Sequence, residues 1–308
     1  MVLPFILDTL VFIGIFAILG ISLNLEAGFT KLMNFGKVAF FAIGAYTTAI
    51  LSLNGAPYII SVAASIILAA FAGFLIALPT LRLREDYFAI VTIASGEILR
   101  LFFASEAWLT NGFIGLAGIP RPLGGFFGQN YLVFFTPLVF LYVFLCYAIS
   151  KRITHSPFGR VLKGIREDEI ATQALGKNIF AFKTKVLIIG SGMAGLAGSL
   201  LAHHLTFIAP DMFFPGLTFS VWIMIVIGGM GNIAGPIIGA FLIQTFERGM
   251  SIVKDYVHLP IEPMNLRIII IGLLLIFFVL YRPAGLFSEK KVEKSLGKLE
   301  PMRRKTAN

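Results

Sequence analysis

The chain has 308 residues, of which 57% are apolar and 13% charged, and its formal net charge is +9. A soluble domain carries about 25% charged residues, so a water-soluble fold is excluded for most of this length. The positive residues sit beside apolar blocks rather than interleaved with aromatics on a polar face. That pattern argues against nucleic acid as a partner and fits the flanks of membrane helices.

A helix needs about 20 residues to cross a bilayer. Within hydrocarbon its backbone must satisfy its own hydrogen bonds, so long apolar blocks are predicted helices. The blocks lack the alternation of a transmembrane barrel. The first covers residues 3–23. It has no basic leader and carries Asp8, so it reads as a first transmembrane helix rather than a cleaved signal. Residues 24–34, with Glu26, Gly28 and Lys31, read as a polar, glycine-bearing break. A second block, 35–53, stops at the turn signal Asn54-Gly55-Ala56-Pro57. A third, 58–78, ends at Pro79 and the basic pair Arg82 and Arg84. A fourth runs from 87 to about 103 and is followed by a Gly/Pro-rich loop to Asn130. The fifth, 131–150, holds the single cysteine, Cys146, so no intrachain disulfide is possible. A charged loop, 151–182, precedes the sixth block, 183–203.

The stretch 212–247 is apolar but broken by Pro215-Gly216 and by Gly228-Gly229-Met230-Gly231-Asn232. It reads either as two short spans or as a hairpin that dips in and out. A last block, 266–281, leads to Arg282-Pro283 and a charged tail. The expected fold is an all-α integral membrane protein, a polytopic helical bundle of about eight to nine membrane segments including short interrupted or re-entrant helices. Residues 1–288 form one transmembrane unit in this reading, and 289–308 a charged tail.

Charge sets the expected orientation. Residues 151–185 hold eight Lys/Arg against three Asp/Glu, and residues 282–308 again hold eight against three. The stretches 104–130 and 204–215 are nearly free of charge. By the positive-inside rule the 151–182 loop and the C-terminal tail are cytoplasmic, and the N-terminus is outside. A short repeat is visible. Gly36-Lys37-Val38-Ala39 followed by Ile43-Gly44-Ala45-Tyr46 recurs as Gly231-Asn232-Ile233-Ala234 followed by Ile238-Gly239-Ala240-Phe241. Paired interrupted helices are a pointer to a transport site, although small-residue patterns also recur by chance in membrane helices.

Gly190-Ser191-Gly192-Met193-Ala194-Gly195 matches a dinucleotide-binding fingerprint, and Asp211 follows at a suitable distance. The match is rejected because the motif needs a preceding strand and a βαβ unit. Gly190, Ala194, Gly198 and Ala202 recur every fourth residue, as do Ser191, Gly195 and Ser199, a spacing that lets helix backbones approach closely. Glu97 lies inside the fourth block with Arg100 one turn on. A charge at depth is costly, so Glu97 lines a pathway or gate, or forms a structural pair with Arg100 near the external end. His203 and His204 point about 100° apart on a helix and do not chelate one metal well, so they read as interfacial residues.

The segment 159–171 reads as a short amphipathic helix with a partly helical apolar stripe and dense mixed charge, bounded by Gly159 and Gly176. Such a helix suits docking to a soluble partner, or lies on anionic lipid. No Gly-x-x-x-x-Gly-Lys-Ser/Thr run is present, so any nucleotide that drives this chain binds elsewhere. An ion-coupled secondary transporter would need intramembrane carboxylate or His relays, for which Glu97 alone qualifies. A membrane enzyme would need a His/Asp/Glu cluster at one face, which the sequence lacks, and a purely structural subunit would not need an interrupted core.

Several runs carry a family resemblance. They are Leu81-Arg82-Leu83-Arg84-Glu85-Asp86-Tyr87-Phe88 with Gly96-Glu97-Ile98-Leu99-Arg100, then Gly118-Ile119-Pro120-Arg121-Pro122, then Gly159 through Gly176. Gly195-Leu196-Ala197-Gly198, Ile208-Ala209-Pro210-Asp211, Gly228-Gly229-Met230-Gly231 and Arg282-Pro283-Ala284-Gly285-Leu286 complete the set. In this order, over about residues 20 to 288, they resemble the LivH/LivM family of branched-chain amino acid permeases of ABC importers, in its LivM-type branch. Glu85 stands where that family more often has Gly, and His204 where it has an aromatic. The resemblance implies a transport subunit that is not itself an enzyme and binds no cofactor, with ATP and Mg on partner chains. It implies a second, LivH-type permease subunit, two cytoplasmic LivG/LivF-type ATPases, an extracytoplasmic amino-acid-binding protein and a location in the cell membrane. The implied substrates are leucine, isoleucine and valine, with urea or short amides open because their permeases resemble the same family. Gly159, Arg160, Lys163, Ile165, Arg166, Glu167, Asp168, Glu169 and Gly176 are the expected ATPase-coupling residues. Asn24, Gly28, Gly44, Glu97 and Gly231 are nominated for the pathway because they are polar or helix-breaking at membrane depth.

Overall fold

A computed structural model of the chain describes residues 2–81, 85–122, 124, 128–256 and, beyond these, 272–273, 276–277, 280–281 and 285–287. The expected block 266–281 falls mostly, and the tail 289–308 wholly, outside the described residues.

The apolar blocks are helices. They are α1 (Val2–Thr30), α2 (Lys37–Leu53), α3 (Tyr58–Thr80), α4 (Glu85–Ser105), the single turn α5 (Ala107–Thr110) and α6 (Tyr131–His155). Two short helices follow, α7 (Pro157–Glu167) and α8 (Glu169–Ala174), and then α9 (Ile179–Leu205), α10 (Pro215–Gly228) and α11 (Gly235–Tyr256). Among the described residues α1, α3, α4, α6 and α9 carry apolar windows long enough to span a bilayer, and α2 and α10 are shorter apolar helices. The chain is an all-α membrane protein.

Burial ranks these helices. The spanning window of α9 is 89% buried and that of α1 72%, against 28% for α3, α4 and α6. The bundle is therefore built around α9 and α1, with the other three on its flanks. Small residues put α9 at the centre. A Cβ at Gly198 would collide with the backbone of Phe41 on α2, and one at Gly195 would meet Ala69 and the Ser65 carbonyl on α3. These are the two small-residue rows read from the sequence, each seating a different neighbour at backbone distance. The fingerprint-like run lies wholly inside α9.

The helices run between two ends. The proximal end carries α7 and α8. At the distal end Asp8 of α1 accepts from His204 Nε2 of α9 and from Arg248 Nη1 of α11, both at 2.7 Å. A two-residue antiparallel ladder closes this end, pairing Leu116 with Ile208 and Ala117 with Phe207.

Five readings are refined. The predicted break at 24–34 is not a break over its first half, because α1 continues to Thr30 and ends where Lys31 takes φ 55°. The polar side chains there find partners inside the bundle, so the backbone has no reason to leave the helix. The amphipathic segment is two helices, divided at Asp168, whose side chain accepts from Ala171 N and caps α8. The expected external loop is pinned by the ladder. His203 and His204 are 1% and 6% exposed, packed inside the bundle at its distal end. Residues 212–247 hold α10, a turn at 229–234 and the first part of α11, which runs on to Tyr256. α10, of 14 residues, is about 21 Å long, and α11, of 22 residues, about 33 Å.

Candidate functional site: the proximal junction

Three of the five nominated pathway residues meet at the proximal end. Asn24 on α1 is 1% exposed. Its Oδ1 accepts from Gly231 N at 2.9 Å, and its Nδ2 donates to Asn232 O at 2.9 Å. One amide side chain thus satisfies both a donor and an acceptor freed where α10 stops. Gly229 and Gly231 have φ of 109° and 82°, which side chains rarely tolerate, so the turn needs glycine at both. Gly28 lies one turn below Asn24. A Cβ there would stand 2.6 Å from Gly231 N, so this face of α1 must be bare for the turn to approach.

The same glycine reaches the charged segment. Gly28 O accepts from Arg166 Nη1 on α7 at 2.9 Å. Apolar packing repeats the link. Leu25 and Phe29 of α1, Leu162 of α7 and Val186 of α9 form one buried cluster, and Ile233 of the turn packs against it. Residues 285–287 close the far side of the turn, with Leu286 N donating to Ile227 O and Phe287 N to Gly228 O.

The nominated coupling residues divide by face. Gly159 and Ile165 are buried with Leu162 on the bundle side of α7. A Cβ at Gly159 would strike the end of α6. Glu169 pairs with Lys183 of α9 at 2.7 Å, anchoring α8 to the bundle. Arg160, Glu167, Asp168 and Gly176 are exposed, and Lys163 is half-buried. Beside them Ile170 and Leu175 are 81% and 80% exposed.

Gly44 and Glu97 lie elsewhere. Gly44 is buried where α2 crosses α9, and a Cβ there would collide with the Gly195 carbonyl. Glu97 is paired with Arg100, whose Nη2 is 2.5 Å from Glu97 Oε1, and Arg100 also reaches the exposed Asp211 at 3.4 Å.

Sequence reasoning missed the buried ion pair between Glu26 and Lys37. Glu26 Oε1 is 2.6 Å from Lys37 Nζ, and the two side chains are 0% and 1% exposed. Glu26 Oε2 accepts from Asn34 Nδ2 at 2.9 Å, and Asn34 Oδ1 accepts from Gly36 N at 3.0 Å. Trp222 of α10 donates to Asn34 O at 3.2 Å. Gly190 leaves room for the pair, since a Cβ there would strike Glu26 Oε1. The signal was present as opposite charges flanking a short polar stretch between two apolar blocks. Among the described residues no group of three or more His, Cys, Asp or Glu could hold a metal ion.

The model of the family described as branched-chain amino acid transport system / permease component matches residues 5–279. The chain is 32% identical to the high-affinity branched-chain amino acid transport system permease protein LivM of Escherichia coli, covering 88% of this chain and 67% of that protein. It is 28% identical to the probable branched-chain amino acid transport permease protein LivM of Methanocaldococcus jannaschii, covering 92% and 93%. It is 25% identical to the permease protein LivH of Salmonella typhimurium, covering 91% and 93%. No solved structure matches the chain.

Proposed function

The chain belongs to the permease family of branched-chain amino acid transport systems, and from that premise we propose that it is one of two permease subunits that import leucine, isoleucine and valine under the control of partner ATPases. The observation that carries the reading is the hydrogen bond from Arg166 to Gly28 O. It joins an exposed, mixed-charge segment to the last turns of α1, whose Asn24 holds the turn between α10 and α11.

In this reading the proximal end is cytoplasmic and the N-terminus outside. Helices α1, α2, α3, α4, α6 and α9 cross in turn, and α10 and α11 go in and return. The two basic segments share the cytoplasmic side. An ATPase docks on Arg160, Lys163, Glu167 and Asp168 with Ile170 and Leu175 as its apolar anchors, and a LivH-type permease completes the pathway. A binding protein delivers the amino acid at the distal end. This chain supplies no nucleotide site. It supplies a two-state element whose equilibrium the ATPases bias. Movement of α7 is felt at Gly28, Asn24 and the 229–234 turn because those residues share hydrogen bonds and one apolar cluster.

The test is uptake of radiolabelled leucine by host cells with and without the gene, challenged with unlabelled isoleucine, valine, alanine and urea. Loss of uptake on deletion, with competition by isoleucine and valine, is the expected result. Undiminished leucine uptake in a strain lacking other leucine systems overturns the substrate assignment.

A further inference from the structure

The chain is interrupted between two helix pairs, at 31–36 between α1 and α2 and at 229–234 between α10 and α11. The two copies of the short sequence repeat begin at these places, with Gly36 and Gly231. Both interruptions turn through positive φ, 55° at Lys31 in the first, and 109° and 82° at Gly229 and Gly231 in the second. Paired interrupted helices are where transporters concentrate their moving parts.

Each interruption is held by the helix that leads into the other. Asn24 of α1 holds Gly231 N and Asn232 O in the second. α10 holds the first at three points. Trp222 Nε1 donates to Asn34 O at 3.2 Å, and its ring stacks on Phe35 with centroids 4.8 Å apart. Thr218 Oγ1 accepts from Val38 N at 3.2 Å. Gly36, at the N-cap of α2, has no side chain to offer, so a hydroxyl from another helix serves an N–H that the helix start leaves open. The placement is matched, since Asn24 lies seven residues before Lys31 and Trp222 seven before Gly229. Asn24, Thr218 and Trp222 are all buried, so water does not replace a bond that either helix withdraws.

We propose that the two interruptions open and close as one unit, a reciprocal clamp in which α1 latches the α10–α11 turn and α10 latches the α1–α2 turn. A shift of α10 withdraws Trp222 and Thr218 from the first interruption and moves the second, which begins at its own end. A shift of α1 withdraws Asn24 from the second and moves the first. Arg166, which bonds Gly28 O near the end of α1, then acts on both. Thr92 Oγ1 of α4 also accepts from Phe35 N, and residues 285–287 also support the turn, but each of these links serves one interruption only. Thr218 and Trp222 thereby become positioning residues, acting through the backbone of 34–38. The purpose of the clamp rests on the transport reading. Its existence does not, and it is measured without transport.

The test places one reporter thiol in each interruption of the full chain, Met33→Cys in the first and Met230→Cys in the second. Maleimide labelling rates are measured in host membranes, where the native Cys146 is buried and contributes little. Three variants perturb one side at a time. Asn24→Ala removes hydrogen bonds to the second interruption. Trp222→Phe keeps the stack on Phe35 but removes the donor to Asn34 O, and Thr218→Val keeps the shape but removes the acceptor of Val38 N. One two-state unit requires every variant to raise both rates, in the same rank order, by about tenfold for one buried backbone group left without its partner. The comparisons that decide are Asn24→Ala read at position 33, and Trp222→Phe or Thr218→Val read at position 230. Faster labelling confined to the interruption that each side chain bonds overturns the proposal. If Trp222→Phe does not reach the membrane, Thr218→Val carries the same comparison. Joint labelling in a chain whose deletion leaves leucine uptake undiminished sustains the clamp and removes only its transport purpose.

Discussion

Arg166 donates to the carbonyl oxygen of Gly28, 138 residues away in sequence, at 2.9 Å. That oxygen lies in the last turn of α1, where no helical N–H remains to use it, so the guanidinium completes the helix end. A residue of α7 that caps the helix carrying Asn24 is mechanically tied to the turn that Asn24 holds.

Replacing Arg166 is expected to separate insertion from transport. Arg166→Ala removes a charge-assisted hydrogen bond of about 1.5–3 kcal/mol, enough for a loss of about tenfold or more in uptake if the bond is made in one transport state and not the other. The double reversal Arg166→Glu with Glu167→Arg is expected to abolish uptake altogether. Both chains should reach the membrane in normal amount. Leucine uptake and the membrane content of the chain are measured together, and wild-type uptake in either variant removes Arg166 from the coupling path.

The ion pair Glu26–Lys37 makes a second prediction. Both side chains are fully buried, and removing one partner strands the other, at a cost of about 3–5 kcal/mol. Lys37→Met alone should therefore lower the thermal midpoint of the detergent-solubilised chain more than Glu26→Gln with Lys37→Met together. A double variant as unstable as the single would show that the pair is not what matters there.

Helices with long apolar runs were legible in the sequence, and so was the close packing of α9, because both follow from patterns along one segment. What a segment touches across the bundle was not. Asn24 and Glu26 looked like loop residues because polarity within a span normally ends it. The partners that keep them helical, Gly231 and Asn232 for one and Lys37 and Asn34 for the other, include contacts more than two hundred residues away. Asp168 was legible as a charge in an amphipathic helix and not as the cap that divides it, because both readings fit the same residue. The union of Asp8, His204 and Arg248 at the distal end joins residues from three helices whose spacing carries no signal.

Gly44 distinguishes a packing glycine from a pathway glycine. Its α-carbon faces the Gly195 carbonyl so closely that any Cβ collides. Gly44→Val is therefore expected to reduce the amount of folded chain in the membrane, with uptake per folded chain falling no further. Quantified membrane content beside uptake gives the ratio. A normal amount of chain with altered competition between leucine and alanine would instead place Gly44 in the pathway.

Asn24 should control how firmly the 229–234 turn is held. Asn24→Ala removes the partner of both Gly231 N and Asn232 O, and each unsatisfied buried group costs about 1–3 kcal/mol. Asn24→Asp keeps an acceptor for Gly231 N but sets a carboxylate oxygen against the Asn232 carbonyl. The readout can be direct, because the single native cysteine, Cys146, is buried, whereas Met230 in the turn is 40% exposed. Met230→Cys therefore provides one reactive thiol against a low background. In that background Asn24→Ala is expected to raise the maleimide labelling rate at position 230 by about tenfold, the factor that corresponds to about 1.4 kcal/mol of lost restraint, and to reduce uptake in parallel. Asn24→Asp should fall between the two. Labelling that is unchanged in both variants would mean that the turn is held by its own glycines and by residues 285–287 alone, and that Asn24 does not transmit what Arg166 does at Gly28.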